Sequence, residues 1–266
     1  MLPIALQLYT VRDVAESDPV NILSQVKEMG YDGVELAGMY GKCPADMRAL
    51  LDSVGLTAIS AHVSYNEMIA APEDVIGGYG VAGCPWIAIP YMADEYRIGA
   101  AKYDEAIAGI KLLGETAKKL GMTLLYHNHE FEFAKFNGEF ALDLLYKAVP
   151  ADLLQTQVDT CWAKVGGVDP AEYIRKYAGR APIVHLKDFH MEGAANDANG
   201  QDGKTPKRNN TFKFRHIGAG MQDIPSIVKA SEEAGAKWLV VEQDFPTEGM
   251  TSVECARESL AYLRSL

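Results

Sequence analysis

Cysteine is scarce in this chain: Cys43, Cys84, Cys161 and Cys255 are the four in 266 residues, far apart and with no CxxC pair. Neither a disulfide scaffold nor a zinc knuckle is implied, and a reducing compartment fits. All four are expected to be small buried hydrophobes. No run of eighteen apolar residues occurs, and the N-terminal MLPIALQLY carries no basic segment ahead of its apolar stretch. Neither a membrane span nor an export signal is therefore expected, and the reading is cytoplasmic. Positive charge is also in short supply: 25 Lys and Arg face 36 Asp and Glu, for a formal net charge of -11. With no basic cluster interleaved with aromatics, nucleic acid is excluded as a partner. The phosphate-loop pattern GxxxxGK[ST] is absent, so no nucleotide cofactor is indicated.

What the chain does have is regular alternation. Short apolar or β-branched runs recur at 3–8, 33–36, 58–62, 86–90, 123–129, 154–159, 183–187 and 238–242, giving eight candidate strands. Helical periodicity fills the intervals at 18–29, 45–54, 67–81, 102–120, 139–149, 170–177, 224–234 and 252–263. Gly30, Gly55, Gly121, Gly179 and Gly235 stand where left-handed caps would stop five of those helices. Strict strand–helix alternation requires a parallel sheet, and eight units in 266 residues favour a closed (β/α)8 barrel over an open sheet. No low-complexity tract or Pro-rich linker offers a boundary, so residues 1–266 read as one TIM-barrel domain. The exception to compactness is the polar stretch 190–220, a candidate lid after the seventh strand.

In such a barrel the ligand site lies at the carboxyl ends of the strands. Glu35, His62, His127, His129, Asp159, His185, Lys187 and Glu242 all fall there, including four of the six histidines. A lone His or Asp at a strand end is more often a satisfied structural group, but eight converging is a site. The two-residue period sends His127 with His129, and His185 with Lys187, to one side of their strands. Asp159, His185 and Glu242 come from consecutive strands and form a mixed carboxylate and imidazole set suited to Mn²⁺, Co²⁺, Mg²⁺ or Zn²⁺.

The segments QLYTVRD (7–13), GYDGVE (30–35), YHNHEFEF (126–133), VDTCW (158–162), HLKD (185–188) and VEQD (241–244) resemble the sugar phosphate isomerase/epimerase family, with its xylose isomerase-like barrel. That family includes ketose epimerases, inosose dehydratases, dehydroshikimate dehydratases and 3-keto-glycoside lyases. The resemblance implies one divalent metal on a Glu, Asp, His, Glu set from strands five to eight. Asp159, His185 and Glu242 match; on strand five the usual Glu falls on His127, with Glu130 or Glu132 as alternatives if a bulge shifts the register.

The departure at strand five removes one carboxylate of the pair with which ketose epimerases take and return a proton. The expected activity is proton abstraction next to a carbonyl of a ketose or keto-sugar, giving isomerisation or epimerisation. The alternative is β-elimination from a 3-keto-glycoside or inosose-like substrate. His129 or Glu242 would be the base and Lys187 the cation for developing negative charge. Gln7, Tyr9, Glu35, His62 and Trp162 would line the pocket around a small sugar, with Trp162 stacking on it. Lys204, Lys207, Arg208, Lys213 and Arg215 in the long loop read as a solvated charged segment rather than a phosphate site. The rivals are a non-catalytic sugar-binding barrel and an endonuclease IV relative; the acidic charge and lack of extra His and Asp ligands oppose the second. Related barrels are often dimers or tetramers, so a homo-oligomer is expected.

Overall fold

A computed structural model describes residues 1–193 and 204–266. Eight parallel strands form a nearly closed barrel: β1 (Ile4–Gln7), β2 (Gly33–Leu36), β3 (Thr57–Ala61), β4 (Trp86–Ile89), β5 (Thr123–His127), β6 (Gln155–Asp159), β7 (Ile183–Leu186) and β8 (Trp238–Val241). Hydrogen-bonded neighbours run β3-β2-β1-β8-β7-β6-β5-β4. The seam between β3 and β4 is drawn together by a bridge of His62 with Ala88 and by the Val63 N–H donating to the Ala88 carbonyl at 3.0 Å. Seven of the eight strands are buried or nearly so along their whole length, as expected where helices cover the outside and side chains fill the inside.

The barrel interior is divided by depth. Ala5, Ile59, Ala88, Leu125, Ile183 and Val240 make an apolar layer, closed from below by Trp86 and Trp238. Above it the inward positions turn polar, with Gln7, Glu35, His127, Gln157, Asp159 and His185 all buried. Gly33 is needed for the plug to seat: a Cβ there would lie 2.7 Å from the Thr57 carbonyl oxygen, 2.9 Å from Ile59 and 3.4 Å from Trp238. Gly33→Ala is therefore expected to lower stability by about 1–3 kcal/mol, read as a lower midpoint in urea; an unchanged midpoint would mean that the plug yields freely.

The helices depart from the expected pattern in instructive ways. The stretch 67–81 is two helices, Tyr65–Ala70 and Pro72–Val81, because Pro72 opens a new first turn and cannot continue the old one. Gly78, Gly80 and Gly83 fall in the spacing GxGxxG, but they lie at the end of that second helix and ahead of β4, not in the strand-to-helix turn that binds a pyrophosphate. An unexpected short helix, Thr160–Val165, follows β6, with all but Lys164 buried; Asp159 caps it by accepting from the Trp162 N–H at 2.9 Å. Residues 139–140 belong to a small hairpin with 135–136, and the helix behind begins at Ala141. Gly30 (φ 100°) and Gly55 (φ 73°) are left-handed caps as expected. Cys84, Cys161 and Cys255 are buried, whereas Cys43 is exposed and its Sγ caps the helix Pro44–Val54.

The long connection after β7 is anchored at its base. Asp188–His190 pairs antiparallel with Lys213–Arg215. The Asp188 carboxylate accepts from the backbone N–H groups of Phe189, Gly218, Gly220 and Gln222, at 2.9 to 3.1 Å. The expected lid at 190–220 includes 194–203, which lie outside the described residues. Among the described residues no helix is long and apolar enough to cross a membrane.

Candidate metal centre and its cavity

At the carboxyl end of the barrel a cavity of about 400 Å³ opens between Tyr9, Ala37, His62, Pro90, Tyr91, His127, His129, Lys187, Glu242 and Asp244. Its floor is the polar upper layer. His127, Asp159, His185 and Glu242 each offer one ligand atom, all within 4.8 Å of one another, and all four residues are buried. His127 Nε2 stands 3.8 Å from Asp159 Oδ2 and 4.0 Å from Glu242 Oε2, while His185 Nδ1 is 2.9 Å from Glu242 Oε2. Those are separations that donors sharing one ion would have. Glu130 and Glu132 are not in the group: Glu132 accepts from Tyr126 Oη at 2.6 Å and the His129 N–H at 2.7 Å, and burial pushes its carboxyl up to about 8.

The donor set fits a divalent cation on three counts. Asp159 Oδ2 is buried and accepts no hydrogen bond; the cation beside it, Lys187 Nζ, stands at 3.4 Å. A buried acceptor without a donor is costly. Charge is also uncompensated: Glu35, Asp159, Glu242 and Asp244 are four carboxylates, against Lys187 and a protonated His185. Four minus two leaves two negative charges; to serve as a ligand His185 gives up its proton, so a divalent ion in place of that proton brings the group to one negative charge. The strain shows in Asp159, which burial raises to about 6, with Lys187 relieving and Glu242 adding to the shift. Burial opposes charge on His185 too, but Glu35 and Glu242 outweigh it and raise the ring to about 10. Last, the mixture of carboxylate and imidazole donors suits Mn²⁺, Co²⁺ or Zn²⁺.

The remaining expected residues are distributed by depth. Lys187 is 1% exposed and held as an ammonium: burial disfavours the charge, but Asp244 at 2.9 Å, Glu242 at 3.1 Å and Asp159 raise its pKa well above the usual lysine range. His129 reaches the cavity by another route than expected. β5 ends at His127, and His129 sits in the following turn, its ring 5.4 Å from that of His127 and its buried Nδ1 without a partner. Burial, with the Lys187 charge beside it, lowers its pKa to about 3, so it is a neutral imidazole. His62 lines the cavity and stacks on His185 at 5.1 Å.

Tyr9, 43% exposed, is at the rim. Gln7 and Glu35 do not line the cavity; both are fully buried beneath it, and Glu35 is turned inward where the register with β3 slips past Ile59. Trp162 does not offer a free face either: it is 3% exposed and stacked between His129 at 5.5 Å and Phe212 at 5.9 Å.

Several contributors were not among the expected residues. Asp244 holds Lys187, and Tyr91, half exposed, also lines the cavity and meets His129 edge-on at 5.4 Å. Asn128 clamps the backbone of Asp159, donating to its carbonyl at 3.2 Å and accepting its N–H at 3.0 Å. Gln157 lies under the floor between Glu35, His62 and His127. It faces the same side of β6 as Asp159, two residues on, so the period of two was the signal that marks it.

Comparison with known proteins places this arrangement. An inosose dehydratase from Lacticaseibacillus casei is 23% identical over 255 residues, 88% of this chain and 85% of that protein. One from Geobacillus kaustophilus is 25% identical over 193 residues, covering 64% of this chain and 62% of the relative, so the match spans less than two thirds of that protein's length. The crystal structure of a sugar phosphate isomerase/epimerase from Parabacteroides distasonis superposes with a TM-score of 0.79 at 23% identity, over 99% of this chain and 94% of that one. Residues 79–266, well over half of the sequence, match the family as such, and the chain belongs to the xylose isomerase-like TIM barrel family.

Proposed function

We propose that this chain is a divalent-metal-dependent enzyme that removes a proton next to the carbonyl of a keto-sugar and expels the β-oxygen, a carbon–oxygen lyase. The observation that carries the reading is the buried group His127, Asp159, His185 and Glu242 at the floor of a cavity whose wall presents His129 and Lys187. Those four residues would hold the ion. When bound, a divalent cation there supplies Lewis-acid polarisation of a carbonyl and its neighbouring hydroxyl.

The chain's own residues do the rest. His129, neutral and facing the cavity, takes the proton from the carbon next to the carbonyl; that C–H bond breaks and its electron pair moves toward the carbonyl oxygen. The Lys187 ammonium, fixed by Asp244 and Glu242, holds the negative charge that develops. As the carbonyl re-forms, the bond from the β-carbon to its oxygen breaks, and the proton carried by His129 passes to the departing oxygen. The products are an unsaturated ketone and an alcohol or water, and no oxidant or reductant is consumed. Tyr9 and Tyr91 flank the entrance as faces for the sugar ring.

Elimination is preferred over epimerisation because β5 and the turn after it contribute His127 and His129 to the site and no carboxylate, Glu132 being committed to Tyr126 and the His129 backbone. Relatives named inosose dehydratase support the same direction. The check is a panel of 3-keto-glycosides, an inosose, free ketoses and ketose phosphates with Mn²⁺- or Co²⁺-loaded protein. The expected product absorbs in the ultraviolet as a conjugated enone. An epimer carrying one solvent deuterium, formed without that absorbance, would establish the isomerase reading instead. No turnover and no deuterium exchange on any substrate would leave a sugar-binding barrel.

A further inference from the structure

Behind the four proposed ligands lies a second group, His62, His127 and His185, whose nitrogens also fall within 4.8 Å of one another. Its interior is already filled. Gln157 Oε1 stands 2.7 Å from His62 Nε2 and 3.2 Å from His127 Nδ1, and Glu35 Oε2 stands 2.6 Å from His185 Nε2. These oxygens only accept, so each of the three nitrogens carries the hydrogen.

The orientation of the Gln157 amide decides the matter and is itself fixed. Its Nε2 donates to Glu35 Oε1 at 2.6 Å, and Ser60 Oγ donates to the same oxygen at 2.7 Å. Turning the amide over would set its oxygen 2.6 Å from a carboxylate oxygen with no hydrogen between them, whatever tautomers the rings adopted. Glu35 in turn is held at both oxygens, Oε1 by the Gln157 amide and the Ser60 hydroxyl and Oε2 by the ring of His185. Glu35, Ser60, Gln157 and His185 are all fully buried, so water does not substitute for any member.

We infer that Glu35 and Gln157 act together as a positioning relay that fixes the tautomers of both imidazole ligands. Gln157 holds the proton of His127 on Nδ1 and so presents Nε2 to the ion, whereas Glu35 holds Nε2–H of His185 and presents Nδ1. The two rings use opposite nitrogens, and only that pairing aims both lone pairs at Asp159 Oδ2 and Glu242 Oε2. The inference rests on the metal reading above for its purpose and on the buried geometry for its content. It also excludes the rear histidine group as a second metal site, because binding there would require expelling both Gln157 and Glu35 oxygens.

The test is long-range ¹H–¹⁵N NMR of histidine-labelled protein, read in the metal-free state for His127 and in the Zn²⁺-loaded state for His185. Expected are an Nδ1–H tautomer for His127 and an Nε2–H tautomer for His185. Gln157→Met, which removes the acceptor at similar volume, should give a mixed or inverted His127 tautomer and weaken Zn²⁺ binding by about 10–100-fold. Gln157→Leu, which likewise removes the acceptor, should act in the same direction. His127 protonated on Nε2 in the wild type, or a Gln157→Met protein with unchanged tautomer and affinity, overturns the relay. If the variants do not fold, the wild-type signals still decide. A wild type that takes up no Zn²⁺ while His127 shows the expected tautomer overturns the metal reading and, with it, the purpose assigned to the relay; the tautomer assignment is judged on the His127 signal alone.

Discussion

Lys187→Met is expected to lower kcat about 10³-fold in protein that still binds its metal, with a smaller change in KM. The side chain is 1% exposed and enclosed by Asp244, Glu242 and Asp159 at 2.9, 3.1 and 3.4 Å. It cannot be a proton donor of ordinary acidity in that company. Its service is a fixed positive charge at the cavity wall, and deleting one such preorganised group costs roughly 10²–10³-fold in comparable sites. The same substitution leaves the buried carboxylates of Asp159 and Glu242 and the partly exposed one of Asp244 facing one another, so the metal-free variant should lose about 3–5 kcal/mol of stability. Metal should restore part of that loss, by supplying the missing charge. The measurement is steady-state kinetics beside thermal unfolding with and without Mn²⁺. A variant that is less stable but turns over at the wild-type rate would confine Lys187 to a structural role.

Asp159→Asn should remove the metal while keeping the fold. The amide oxygen can still accept from the Trp162 N–H, so the short helix Thr160–Val165 retains its cap, and Asn128 holds the backbone, not the carboxylate. What disappears is a buried carboxylate oxygen that accepts no hydrogen bond, Oδ2. Losing one anionic ligand of four at about 4 kcal/mol is roughly 10³-fold in affinity, at about 1.4 kcal/mol per tenfold. Isothermal titration with Mn²⁺ or Co²⁺ reads this directly, and circular dichroism verifies the fold. Wild-type affinity in Asp159→Asn would remove Asp159 from the ligand set.

The sequence was most legible where one rule acted alone. Parallel strands buried on both faces must be apolar runs, so β1 to β8 stood out, and strand-end polarity then collected the four proposed ligands. It was less legible where two structures compete for the same residues. His129 satisfies the alternation of β5 as well as the start of a turn, and the turn prevailed because Glu132 reaches back to its N–H. The helix Thr160–Val165 has no polar face to show a period, being buried almost throughout. Trp162 looked available because it follows a ligand, but packing by His129 and Phe212 uses both ring faces.

Depth was the harder variable. Gln7 and Glu35 occupy strand ends as surely as Glu242 does, yet a tilted, sheared barrel places successive strand ends at different heights. Glu35 and Gln157 therefore support the floor from below while Glu242 and Asp244 face the cavity. Only coordinates in three dimensions separate a residue that touches substrate from one that orients its neighbour.

The central claim is a single divalent ion on His127, Asp159, His185 and Glu242. Crystals of the Co²⁺-loaded protein, measured at the cobalt absorption edge, test it most directly. The account predicts one anomalous peak per chain, bonded to those four side chains, with Glu35 and Gln157 in place behind the two imidazoles. No peak at that position, or a peak among His62, His127 and His185 with Gln157 displaced, would contradict it.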